Sequence, residues 1–91
     1  MGRKKLYAIA YDIPDNNRRV KVANLLKSYG ERVQLSVFEC YLDEELLSDL
    51  KTRAQKLLNL QEDSLRIYPV GPRLEVLGQG LAYEEREFFV A

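Results

Sequence analysis

The chain has no histidine and one cysteine among its 91 residues. Without histidine it lacks the commonest general base, nucleophile activator and transition-metal ligand. The single cysteine, Cys40, excludes an internal disulfide and a multi-cysteine zinc site. Its side chain reads as a small buried apolar group. No apolar run approaches the roughly 20 residues that cross a bilayer. The N-terminal Gly2-Arg3-Lys4-Lys5 leads into a strand-like run with no small-residue cleavage site, so no signal peptide is expected. These absences point to the cytoplasm and away from membranes. Any hydrolysis must rest on carboxylates, water and a hard cation such as magnesium (Mg2+) or manganese (Mn2+).

Net charge is also missing, but the balance conceals a division. Residues 1–40 carry eight Lys and Arg against four Asp and Glu, whereas residues 41–91 carry six against ten. A basic half suggests an anionic partner for one surface. Apolar residues at 46% and charged residues at 31% describe an ordinary globular chain, long enough for one domain with a modest core.

Periodicity supplies the architecture. Over Lys5–Ile13, Leu6, Ala8, Ala10 and Asp12 share one face and Tyr7, Ile9, Tyr11 and Ile13 the other. Both faces are largely apolar, which predicts a central strand covered on both sides. Pro14 stops it, Asp15 or Asn16 can cap a helix, and Val22, Leu25, Leu26 and Tyr29 repeat at helical spacing. Gly30 is expected to close that helix in a left-handed cap. Arg32–Leu42 is β-like but long for one strand, so a bend or tight hairpin is expected near Leu35–Val37. Asp43 caps a second helix whose stripe is Leu46, Leu47, Leu50, Ala54, Leu57 and Leu58. Ser64–Val70 reads as a strand, with shorter ones over Arg73–Leu77 and Arg86–Val90.

This order predicts an α+β, ferredoxin-like βαββαβ sandwich over residues 1–80, with two helices on one sheet face. Residues 81–91 are expected to form a C-terminal extension with an extra strand. Two helices cover one face only, and the terminal Phe88-Phe89-Val90 needs a dry partner. A homodimer through the open face, with the extension docking on the neighbour, answers both needs. Docking of the tail within its own chain is the alternative.

The chemistry gathers between Leu6 and Cys40. An acid at a strand end, Asp12, faces Arg18 and Arg19 near a helix start, and a second apolar run carries Arg32, Ser36 and Phe38. Such an arrangement can hold a divalent cation against a phosphodiester. Each residue has a plainer role as well. Asp12 can order the turn before Pro14, and the basic set (Arg18, Arg19, Lys21, Lys27, Arg32) can be a solvated surface. Tyr11 and Phe38 can fill the core or stack on a base, and Ser36 can bond phosphate or stabilise a turn. Glu39 is the other acid nearby, but its parity with Val37 and Tyr41 suggests a different orientation. The aromatic signature of an RNA-recognition module, which shares this topology, is absent.

The stretch AYDIPDNNRRVKVANLLKSYGERVQLSVFEC resembles the signature of CRISPR-associated protein two, the small subunit of the spacer-acquisition machinery. The resemblance implies a ferredoxin-like homodimer in which the strand-end aspartate of each protomer, Asp12 here, meets its mate around one divalent cation. It implies roles in nucleic-acid handling for Tyr11, Arg19, Arg32, Ser36 and Phe38, with Lys21 at a related basic position and Arg18 taking part of its role. The implied function is a metal-dependent endonuclease, an endoribonuclease acting on single-stranded RNA with DNA as a further target, working with the CRISPR integrase (CRISPR-associated protein 1). The alternative is a non-catalytic dimeric scaffold of that integrase gripping duplex DNA. Asp12 is the residue on which catalysis and metal binding would depend, because magnesium is usually held by one or two carboxylates plus phosphate oxygens.

Overall fold

The computed structural model describes residues 3–71 together with Glu75 and Leu77. Its elements run β1 (Lys5–Asp12), α1 (Asn16–Lys27), β2 (Gly30–Gln34), β3 (Val37–Leu42), α2 (Glu44–Leu57) and β4 (Ser64–Pro69). The sheet order is β2-β3-β1-β4, and every neighbouring pair is antiparallel. Two helices lie on this four-stranded sheet, the ferredoxin-like α+β arrangement that the element order predicts. No helix among the described residues is long and apolar enough to cross a membrane.

Strand alternation decides which residues reach the helices. Ile9, Tyr11 and Ile13 of the β1 side, Phe38, Cys40 and Leu42 of β3, Val22, Ala23 and Leu26 of α1, and Leu50 of α2 form one core. Leu65 and Ile67 of β4 pack against its margin. The other sheet face carries Ala8 and Ala10 of β1 opposite Glu39 and Val37 of β3. Tyr41 and Tyr68 stand on the same face, each about half exposed.

Local signals set the helix starts. The Asp15 side chain accepts the Arg18 backbone N–H at 2.9 Å, and the Asp43 side chain accepts that of Leu46 at 2.8 Å. Each cap satisfies a donor that the first helical turn leaves unpaired. Glu44 and Glu45 then sit at the positive end of α2.

Gly30 does not cap α1. The helix ends at Lys27, with Ser28 as its C-cap in right-handed conformation, and Gly30 begins β2 opposite Cys40. The glycine is required by packing. A Cβ there would overlap the Glu39 carbonyl oxygen and stand 2.6 Å from Cys40 Sγ. The hairpin near Leu35–Val37 does form, with only Leu35 and Ser36 between β2 and β3 and a register shift between Arg32 and Gln34. The strands expected beyond residue 71 and the extension over 81–91 lie, apart from Glu75 and Leu77, outside the described residues.

Candidate nucleic-acid interface

Asp12 ends β1 with its side chain exposed, and its neighbours hold it from both sides. On one side it is the register partner of Ser64, the first residue of β4. On the other, the preceding residue donates its backbone N–H to the hairpin: Tyr11 N to Ser36 O, 3.1 Å. The Tyr11 hydroxyl adds a longer contact to the Leu35 carbonyl at 3.4 Å. The hairpin tip is thereby fastened to the strand end, and Ser36 comes beside Asp12 although they are far apart in the chain.

The turn after Asp12 is closed by Arg19. Its guanidinium donates to the carbonyl oxygens of Ile13 (2.6 Å) and Pro14 (3.4 Å) and to Asn16 Oδ1. Arg19 therefore shapes the loop that follows the acid, and its charge stays at the same edge. Arg32 lies exposed over the Phe38 ring, with its central carbon 5.4 Å from the ring centroid. Phe38 itself is fully buried and stacks on Tyr11 at 6.3 Å between centroids. It supports the arginine from beneath and offers no open face to a base.

A groove of about 640 Å³ joins these groups, with Tyr11, Asp12, Arg19, Lys27, Arg32 and Ser36 on its walls. Three cations thus share a concavity with one carboxylate. Two residues expected here stand elsewhere. Lys21 is exposed on α1 outside the groove lining. Arg18 turns to Asp63, donating Nε to Oδ2 at 2.8 Å and Nη2 to Oδ1 at 3.0 Å, with Glu62 at 3.5 Å. The Asp63 side chain is covered and also accepts the Asn59 N–H at 2.9 Å. The Arg18 hydrogen bond holds the Asp63 carboxyl below its ordinary range, against the opposing effect of burial. This ion pair is a tie between α1 and the start of β4.

The structure adds groove residues that periodicity alone did not single out as a set: Val20, Asn24 and Leu35. The signal was available in the helical spacing of Arg19, Ala23 and Lys27, which share one face of α1. What no spacing shows is that this face looks at the β2–β3 hairpin.

Among the described residues, no three of His, Cys, Asp and Glu cluster as a metal shell. Glu39 shares the sheet face of Asp12, but it pairs with Ala8, four residues back along β1 and so roughly 13 Å away. Among the described residues, Asp12 is therefore the exposed carboxylate that lines this groove. A single carboxylate can supply one oxygen donor to a hard cation, which ordinarily takes further carboxylate or phosphate oxygens. Burial, aided by nearby Glu39, pushes the Cys40 thiol up to about 11, so it is no nucleophile at neutral pH.

The comparisons agree with this geometry. The model of the family described as CRISPR associated protein Cas2 matches residues 5–74. A relative named CRISPR-associated endonuclease Cas2 2, from Thermus thermophilus, is 71% identical over 84 residues, covering 92% of this chain and 93% of its own. One named CRISPR-associated endoribonuclease Cas2 3, from Synechocystis, is 55% identical over 65 residues, 71% of either chain. The crystal structure of a hypothetical protein from Thermus thermophilus superposes with a TM-score of 0.80 at 73% identity, covering 86% of this chain and 95% of that one. Streptococcus pyogenes Cas2 superposes with a TM-score of 0.72 at 34% identity, covering 80% and 99%. The chain with the carboxylate-ended strand, the fastened hairpin and the basic groove belongs to the CRISPR-associated Cas2 family.

Proposed function

We propose that this protein is a metal-dependent endonuclease of CRISPR adaptive immunity, cleaving RNA phosphodiesters with DNA as a further target, and that it acts in the cytoplasm as a homodimer. The observation that carries the reading is the exposed Asp12 carboxylate at the rim of a groove bearing Arg19, Lys27 and Arg32. The names of its relatives, endonuclease and endoribonuclease, support the same chemistry.

The sheet face turned away from the helices supports the dimer. Its exposed Tyr41 and Tyr68 are the large, partly apolar groups expected at an interface. Asp12 shares the parity of Ala8 and Ala10 on that face, so a second copy packed there would bring a second Asp12 to the symmetry axis. The two carboxylates would hold the magnesium or manganese ion. When bound, that cation would lower the pKa of a water nucleophile and offset charge on the phosphate. The chain's own groups do the rest. Arg32, steadied on Phe38, and Lys27 draw the phosphodiester backbone into the groove. Arg19 holds the turn that sets the direction of Asp12, and the Ser36 hydroxyl can donate to a phosphate oxygen. These contacts read no sequence and are salt-sensitive.

A second reading keeps the fold and the dimer but not cleavage: a scaffold that grips duplex DNA for the CRISPR integrase. The exposed basic residues of α1, Lys21 and Lys27, favour it. Digestion of single-stranded RNA and duplex DNA with and without magnesium, by wild type and Asp12→Ala, tests the nuclease. Metal-dependent cleavage abolished by the substitution is expected. Cleavage undiminished in Asp12→Ala removes this carboxylate from the chemistry, and integrase-dependent spacer capture that survives the substitution assigns the scaffold role.

A further inference from the structure

Beyond Asp12 the groove runs between α1 and the β2–β3 hairpin, and its composition changes along the way. Val20, Asn24 and Lys27 stand at helical spacing on one wall, with Arg32 and Leu35 opposite. Val20 is 57% exposed and Leu35 is 84% exposed. Exposed aliphatic residues are ordinary on a surface; these two line the same concavity as the cations. Leu35 does not stand on a loose loop. The turn that carries it is fastened by the bonds from Tyr11 to the Ser36 and Leu35 carbonyls. The apolar wall is therefore held in place before any ligand arrives.

This combination matches one nucleotide. Lys27 and Arg32 suit a phosphate, Val20 and Leu35 suit the faces of a base, and the Asn24 amide offers one donor and one acceptor side by side, as base edges do. The whole groove, its Asp12 end included, is about 640 Å³, within the range of small-molecule sites. A base stacked inside a duplex cannot enter between two side chains, so the nucleotide must be unpaired.

We propose that the groove between α1 and the hairpin is a subsite for one unpaired nucleotide beside the phosphodiester at Asp12, in which Val20 and Leu35 grip the base and Asn24 selects it. The proposal rests on the nuclease reading for the position of that phosphodiester. It adds a base-selecting element to a surface whose other contacts are to the backbone.

Binding of RNA pentanucleotides that differ only in the central base tests it, measured by fluorescence anisotropy without added metal so that cleavage does not enter. Wild type should separate the strongest from the weakest base by about tenfold, the discrimination one amide pair supplies. Asn24→Ala should bring the four affinities together. Leu35→Ala should weaken all four by about fivefold through loss of apolar contact. Both side chains are exposed, so neither substitution threatens the fold. Equal affinities for the four bases in wild type, or variants that bind as wild type does, overturn the subsite. Digestion by wild type and Asp12→Ala, run beside it, separates the two ideas. Base selection lost in Asn24→Ala without Asp12-dependent cleavage keeps the subsite and removes the nuclease, whereas the reverse pattern does the opposite.

Discussion

Arg18 and Asp63, 45 residues apart, form a two-pronged ion pair that joins the first turn of α1 to the residue before β4. Asp12 lies between these two attachments, leading into α1 through its turn and paired to Ser64 beside Asp63. The pair therefore holds both flanks of the strand end that carries the acid.

A dependence of stability on pH follows. The Asp63 carboxyl is held below its ordinary value in the folded state, chiefly by the Arg18 hydrogen bond. Its contribution is present above the unfolded-state value of roughly 4 and is lost as the pH falls through the lower folded-state value. Urea midpoints measured from neutral to acid pH should fall in wild type. Asp63→Asn should lower the neutral midpoint and flatten the acid decline. A parallel decline in both proteins would mean that another carboxylate governs acid unfolding.

Gly30→Ala should destabilise the protein by about 1–3 kcal/mol, because the new methyl group meets the Glu39 carbonyl and the Cys40 side chain within a paired strand. Equilibrium unfolding measures the loss. A cap at that position would instead predict a penalty from left-handed backbone geometry, to which Gly30→Asn would be tolerant. The packing account predicts Asn to be worse than Ala.

Arg32 provides a test of the phosphate contacts. In a plot of log affinity against log salt for an oligonucleotide, Arg32→Ala should reduce the slope by about 1. Arg32→Lys should keep the slope while weakening binding, since an ammonium loses the flat guanidinium packing over Phe38. An unaltered slope in the alanine variant would take Arg32 off the list of contacts.

Cys40 should resist thiol reagents in the folded protein. With its thiol pushed up to about 11, only about one in a thousand would be ionised at pH 8, and the side chain is buried. Reaction with a chromogenic disulfide should be slow natively and fast in denaturant. Rapid native labelling would show that the core around it, shared with α1 and α2, opens readily.

Much of the fold was legible because its rules are local. The two-residue alternation in Lys5–Ile13 sorts Ile9 and Tyr11 from Ala8 and Ala10, and the aspartates before each helix state where it starts. Gly30 departs from its expected role for the same reason. A glycine after a helix looks like a cap from the helix side, and the requirement comes from Cys40 on a strand paired only in three dimensions. Residue type allows Phe38 either packing or stacking on a base, and its burial beneath Arg32 is a tertiary fact.

By itself the sequence determined an acid at the end of a central strand, a basic helix after it, the order of elements, and hence the family. These depend on spacing and on residue type at neighbouring positions. The tertiary structure alone decided which charges remain available to a ligand. Arg18 is taken by Asp63, Arg19 bonds the turn while keeping its charge at the groove, and Lys27 and Arg32 line the same groove. An ion pair or a concavity depends on where distant segments come to rest, and no local period encodes that distance.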